Sequence, residues 1–449
     1  MYDHRRDPVA AESPGLAPPA TPQQLAVVTT LTTSAGAAVD RLLAIADTLA
    51  PPFLLLEDGR GDGCSHLVWG GVQRRRVPWG SRPELPVVGR GEPPFYGAFA
   101  YETGIPAWMR PRTPVLPQPC IDGFQPANRI LLGADGEARC EGPDAPSRWR
   151  ETGSDPGPAA PAPDFRVASP SPWRSFDESG FTAAVRRARE YIAAGDIYQV
   201  NLAVAERWPQ TATAWHAYRR LREVNPSPWM GFADFGDWQL VCGSPELLVE
   251  VGAGHDGRIV RTRPIAGTRK KIGSAAQDAR MRSELRLDAK ERAEHLMLVD
   301  LARNDIGRVA AYGTVRVAER EVVEEYSHVF HLVSEVRGLL RGDRLTRDVV
   351  SSLFPGGTIT GCPKIRAMEI IGELEPVARG VYTGALGWIG GEALQLNIVI
   401  RSAVVSGGAV LIQAGAGIVA DSIPEREWRE SLRKAAAVRL AFGLPAPGG

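Results

Sequence analysis

The chain has 449 residues, 44% of them hydrophobic and 23% charged, with 52 basic side chains balanced by 52 acidic ones. That length suits two or three ordinary domains or one large body with a substantial core, and the even charge balance excludes the electrostatic footprint of a nucleic-acid or anionic-membrane partner. Five scattered cysteines, Cys64, Cys120, Cys140, Cys242 and Cys362, form no C-x-x-C pair, so neither a disulfide framework nor a zinc site is indicated; without a signal-type leader or a run of about 18 apolar residues, a cytoplasmic protein is expected.

Residues 1–150 are expected to form an N-terminal region, with a helix at "DRLLAIADTLA" and short strands at "PFLLLEDG" and "YGAFAYET". A stretch rich in Pro, Gly, Ala and Ser, 151–173, reads as a surface linker. In residues 174–449 the pattern becomes more regular. Cap-type residues, a 3.6-residue apolar period and the stop at Gly195 predict an amphipathic helix over 177–196. "IYQVNLAVAERW", "WQLVCGSPELLVEVG" and "GRIVRTRPIAG" read as strands, followed by one long helix over 283–305. A strand at "GVYTGALGWIG", β-rich runs at "LNIVIRSAVV" and "AVLIQAGAGIVA", and a terminal helix from "IPEREWRESLRKAAAVRLAF" complete the chain. No fixed repeat is visible, and the mixture predicts a large α+β body.

Several features bear on chemistry. Glu291 and Glu294 share one helical face, and Glu427, Glu430 and Lys434 share another. By spacing alone these are first of all two solvated charged faces; convergence of the two helices would instead make an oxygen-rich site of the kind Mg²⁺ uses. "FPGGTITGCPK" and "QAGAGIVAD" could bring backbone N–H groups close to a small anion, or be plain tight turns. Neither fits a nucleotide-binding frame. His328 and His331 in "YSHVFHLVSEV" would face opposite sides of a strand, so at most one enters a given pocket. "RTRPIAGTRK" has basic residues at both ends and a bare Ala266 at its centre.

In order along the chain, "GDIYQVNLA", "GSPELLVEV", "RTRPIAGTR", "KERAEHLMLVDLARNDIGRV", "YSHVFHLVSEVRG", "FPGGTITGCPKIRAMEIIGELEP", "NIVIRSA" and "QAGAGIVADSIPEREWRESLRKA" resemble the chorismate-utilising enzymes. The likeness spans about residues 177 to 440 and is weaker in the N-terminal third. It implies a large two-sheet antiparallel sandwich with outer helices and a deep cleft for chorismate. By position, it implies that Glu294 and Glu430 hold Mg²⁺ against the ring carboxylate, with Glu291 and Glu427 in support through water. Tyr382, Arg401, Lys434 and the backbone of Gly415, Ala416 and Gly417 match contacts to substrate carboxylates, and Thr358 matches a side chain lining the ring. Glu246 matches a general acid, and His331 rather than His328 matches the histidine near the departing hydroxyl. Ala266 and Thr268 fall in the wall of the same pocket. These residue types suit a dianion that must lose a hydroxyl group, which leaves only when protonated.

The resemblance also bears on the nucleophile. At the position of Gln199, the isochorismate and salicylate branch carries a lysine that activates water. A neutral amide cannot serve as that base, so ammonia is the implied nucleophile. Two branches add it. "IYQVNLA", with Asn201, and "GGTITG" are similar to component I of aminodeoxychorismate synthases, whereas Ala266 in "PIAGT" is similar to component I of anthranilate synthases, because the first branch typically carries an attacking lysine there. The first branch is the favoured expectation and the second its alternative; direct reaction of ammonia would explain the missing lysine. No G-x-C-x-G nucleophile turn is present, so a separate glutamine amidotransferase subunit is the implied source of ammonia.

Overall fold

The computed structural model describes residues 29–446 apart from positions 33, 34, 61, 62, 82, 110, 111, 153–170 and 327. Most of the predicted linker therefore lies outside the described residues.

The strands pair antiparallel throughout and form two arms that share one long strand, Ile121–Gly133. The first arm runs from that strand through Cys64–Val77, Phe53–Asp58, Trp229–Asp234, Trp238–Ser244, Ser402–Ser406 and Ala409–Ile418 to Gln199–Pro209. The second leaves it through Phe95–Phe99 and continues by Ala385–Ile389, Leu394–Ile398, Leu247–Gly254 and Gly257–Thr262 to Val329–Leu339. That last strand also pairs with Ile265–Lys270 and Arg316–Glu325. The arms stack face to face: one buried cluster joins Leu54, Leu240 and Leu411 of the first to Ala98 and Leu386 of the second. Helices cover the outer faces. Tyr218 and Phe442 pack on the first arm, Val299, Ile306 and Val350 on the second, and Phe181, Ile371 and Trp428 over the strands Gln199–Pro209 and Ala409–Ile418. The expected large antiparallel α+β fold with outer helices is observed, but its two layers are arms of one continuous sheet rather than two separate sheets.

The two-residue period of a strand then decides what faces inward. Val200, Leu202, Ala416 and Ile418 pack under the helices. Gln199, Asn201, Gly415 and Gly417 consequently lie on the opposite face, where Gly417 is directly across from Asn201.

Local chemistry corrects some predicted boundaries. The helix expected over 283–305 is two helices, Ala275–Leu287 and Ala289–Gly307, broken at Asp288. The Asp288 carboxylate accepts hydrogen bonds from the backbone of Lys290 and Glu291, at 3.0 and 3.1 Å, and this cap starts a new helix where propensity alone would continue the old one. Only Ala385–Ile389 of "GVYTGALGWIG" is strand, since Gly380 and Thr383 have positive φ. "LNIVIRSAVV" divides at Arg401, whose φ of 54° turns the chain between Leu394–Ile398 and Ser402–Ser406. The terminal helix divides at Ala435 into Pro424–Lys434 and Ala436–Ala441.

Candidate active site

Glu246 sits in the two-residue break between Trp238–Ser244 and Leu247–Gly254, fixed by the Ile398 N–H that donates to its carbonyl at 3.1 Å. Its side chain is buried, and burial pushes the carboxyl up to about 8, an effect the nearby Thr358 hydroxyl offsets only in part. At neutral pH this carboxyl keeps its proton. Glu246 and Thr358 border a small pocket that continues between Leu298, Leu301, Leu353 and Ile398.

His331 lies on Val329–Leu339, opposite Thr268. A bulge between Ala266 and Thr268, at Gly267 with φ of 68°, turns the Gly267 carbonyl toward the imidazole. His331 Nδ1 is 3.1 Å from that oxygen and 3.1 Å from the Thr268 hydroxyl. A carbonyl oxygen only accepts, so Nδ1 carries the proton and Nε2 is the acceptor nitrogen. Burial, helped by the charges of Arg401 and Lys434, lowers His331 to about 4, so the ring is neutral near pH 7. His328 instead lies outside the strand, exposed, with Nε2 at 3.0 Å from the Val224 carbonyl. Ala266 pairs with Leu332 one step from the bulge; of the lysines that follow it, Lys270 is exposed and Lys271 is bound to Glu325 at 2.6 Å.

The glycine-bearing strand supplies a second wall. Lys434 donates to the Gly415 carbonyl at 3.0 Å and to Glu430 at 2.9 Å, and Arg401 donates to the Lys434 carbonyl at 3.0 Å. Tyr382 is buried close to Arg401, and burial raises its phenol to about 12. Gly417 leaves room for the Gln199 amide: a methyl group there would lie 2.5 Å from Gln199 Nε2, so the Gln199 side chain would have to move. The Ala416 side chain points into the core beneath the helices, so only its backbone borders the inner face.

The two acidic helices converge. Burial, and then the carboxylates of Glu291, Glu427 and Asp288 against the pull of Lys290, raise Glu294; burial and Glu430 raise Glu427. Against the cost of its own burial, Glu430 is held below the ordinary carboxylate range by Lys434, Arg433 and Arg401. Glu291 accepts a 2.9 Å bond from Arg269. Among the described residues no three His, Cys, Asp or Glu side chains are close enough to cage a metal unaided. Glu294 is near enough to Glu427 to be raised by its charge, and Glu427 to Glu430; carboxylate oxygens are the ligand type that suits Mg²⁺, which retains waters and takes oxygen from a bound anion.

Two residues important to this geometry carried no signal of their own in the sequence. Buried Arg379 donates to the Ile359 carbonyl at 2.7 Å and the Asn201 carbonyl at 2.9 Å, and is paired to Glu375, tying the Thr358 loop to the Gln199 strand. Arg269 joins the bulged strand to Asp288 and Glu291 at the start of the acidic helix. The basic end of "RTRPIAGTRK" was its only hint.

A profile of the family described as chorismate binding enzyme matches residues 86–439. Aminodeoxychorismate synthase component 1 of Bacillus subtilis is 50% identical over 270 residues, 60% of this chain and 57% of that protein. Anthranilate synthase component 1 of Thermus thermophilus is 49% identical over 294 residues, 65% of this chain and 63% of the relative. The chain thus spans less than two thirds of either relative's length. A solved structure of anthranilate synthase component I from Streptococcus pneumoniae superposes with a TM-score of 0.71 at 29% identity, covering 84% of this chain and 92% of the other.

Proposed function

The chain belongs to the chorismate binding enzyme family, and on that premise we propose that it is a Mg²⁺-dependent, amine-adding chorismate enzyme. Its reaction is that of component I of an aminodeoxychorismate synthase: chorismate and ammonia give 4-amino-4-deoxychorismate and water. A glutamine amidotransferase subunit supplies the ammonia. The observation that carries the reading is the set of held polar groups: His331 fixed by the Gly267 carbonyl and the Thr268 hydroxyl, and Arg401 and Lys434 linked to each other and to the Gly415 strand.

Arg401, Lys434 and the backbone from Gly415 to Gly417 bind substrate carboxylates, Tyr382 adds a phenol donor, and Thr358 lines the ring. Glu294 and Glu430, backed by Glu291 and Glu427, hold Mg²⁺, which offsets the charge of the ring carboxylate. Glu246 donates its proton to the departing hydroxyl, so the leaving group is water. His331, uncharged, adds no further cation beside Arg401 and Lys434, and its Nε2 can accept a proton from the incoming amine. Gln199 offers an amide where water activation would need a base.

Ala266 favours a second reading, anthranilate synthase component I, in which ammonia adds at C2 and pyruvate is lost. Purified protein incubated with chorismate, Mg²⁺ and an ammonium salt distinguishes them. 4-Aminobenzoate formed only after a lyase is added supports the first reading; anthranilate and pyruvate without a lyase overturn it in favour of the second.

A further inference from the structure

Tyr326 closes the turn between Arg316–Glu325 and Val329–Leu339, and its N–H donates to the Val329 carbonyl at 2.9 Å. Its ring meets the His331 imidazole edge to face, with centroids 5.1 Å apart and planes at 67°. The phenol donates to Glu324 Oε2 at 3.0 Å. Glu324 lies directly across from His331 in the strand pairing and is itself bound by Arg263. Arg263 is held in turn by Glu319 at 2.7 Å and Glu335 at 3.2 Å. A half-buried tyrosine is thus braced by the Glu324 carboxylate, itself tied to Arg263, while its ring abuts the imidazole. We propose that Tyr326 is a positioning residue for His331: its ring fixes the plane of the imidazole, and the Glu324–Arg263 pair fixes the ring.

The surroundings of His331 explain why such a wall is needed. Gly267 and Thr268 both contact Nδ1, and anchoring at one ring nitrogen leaves the plane of an imidazole free to tilt. Arg401 and Lys434 press on the ring electrostatically from another side. Burial and then Glu324 hold the Tyr326 phenol above its ordinary range, with Arg263 opposing only in part, so it is a hydrogen-bond donor near neutral pH. Taking the ring away would admit water, ease the desolvation of His331 and let it tilt off the Gly267 carbonyl.

This role rests on the catalytic reading of His331, but one arm of its test does not. Protein with ¹⁵N-labelled histidine has seven histidines, and the His331 signals are identified by their loss in His331→Gln. In the parent, His331 should appear as the neutral Nδ1–H form across the neutral range. In Tyr326→Ala its titration should move up toward the ordinary histidine value and the two neutral tautomers should mix. Tyr326→Phe, which keeps the ring, should retain the Nδ1–H form, and Tyr326→Leu, which keeps apolar bulk without a ring, serves as a milder variant should the alanine substitution fail to fold. In turnover assays Tyr326→Ala should lose roughly tenfold or more in kcat with KM changed less than about twofold, and Tyr326→Phe only a few-fold in kcat. Parent-like His331 tautomer and titration in folded Tyr326→Ala, or in Tyr326→Leu if the former does not fold, would overturn the proposal. A protein without turnover on chorismate would fail the functional reading alone, because the resonance arm needs no substrate.

Discussion

A carboxyl that stays protonated near neutrality owes this to burial, and at Glu246 burial has two measurable consequences. For the proposed reaction the acid form is the active one, so with free ammonia held constant, activity should be level near neutrality and fall as pH rises through about 8. A rate that keeps rising above that pH would remove Glu246 as the acid. Stability carries the opposite lesson. A carboxyl raised in the folded state binds its proton more tightly there than in the unfolded chain, so its contribution to stability is lost as pH climbs from the ordinary carboxylate range to about 8. Glu246→Gln escapes that loss, which is at most about 1.4 kcal/mol for each pH unit across the window. The variant should therefore be inactive, yet its Tm relative to the parent should be higher at pH 8 than at pH 5. At this scale the sequence was informative about residue types and positions, because the motifs around Gln199, Glu246 and His331 could be matched to a family. It could not reveal their protonation states. Those depend on who is desolvated and on a carbonyl aimed by a bulge, neither of which leaves a pattern in the chain. Ala266 was readable as a missing nucleophile, and Ala266→Lys assayed beside the parent should change product yield or distribution if that position sets the route; identical products at identical rates would show that it does not.

Among the elements, the bulged strand Ile265–Lys270 and the acidic helix behind it do most to assemble the site. The stretch "GRIVRTRPIAG" was expected as one strand but is broken at Arg263 and Pro264 into Gly257–Thr262 and Ile265–Lys270, and the bulge was not legible either, since a glycine in a strand marks a turn, a bulge or nothing. Here Gly267 has φ of 68°, and a methyl group on it would sit 2.9 Å from Leu285 and 3.0 Å from the Glu291 carboxylate. Gly267→Ala should cost about 1–3 kcal/mol and, by shifting the carbonyl that receives His331 Nδ1, reduce kcat more than KM; a stable, fully active variant would contradict this role for the bulge. The break at Asp288 escaped the periodicity argument for a related reason: a continuous helical pattern says nothing about a carboxylate that caps from within it. Its effect is to start the helix bearing Glu291 and Glu294 beside Arg269. If Glu294 and Glu427 face one another across the proposed Mg²⁺, the ion should relieve their mutual repulsion and raise Tm in the absence of substrate. Glu294→Gln should abolish that increment. An equal Mg²⁺-dependent rise in parent and variant, followed by differential scanning fluorimetry, would place the ion elsewhere.

Across the whole molecule, the composition shift at 151–173 invited a division into an N-terminal region and a catalytic one, and the pairing shows how closely the two are interwoven. Phe53–Asp58 is hydrogen-bonded along its length to Trp229–Asp234, and Phe95–Phe99 to Ala385–Ile389. Strand order cannot be read from a sequence that contains the strands but not their partners, so this arrangement was invisible to composition. Chemistry crosses the same boundary. The Glu102 carboxylate accepts from the backbone of Arg379 and Gly380, three and two residues before Tyr382, and burial raises it to about 7. The N-terminal third therefore holds one wall of the candidate site in place. Expressed alone, residues 174–449 would leave the edges of Trp229–Asp234 and Ala385–Ile389 unpaired together with the apolar faces beneath them, which favours aggregation over folding. The converse experiment is more discriminating. With a specific protease site placed between residues 152 and 171, a cut chain should still elute as one particle, because the two fragments share paired strands on both arms and a buried core. Its near-ultraviolet circular dichroism and its activity should match the uncut protein. Fragments that separate without denaturant, each retaining native spectra, would mean that two independent domains exist after all and that the shared sheet adds little to their association.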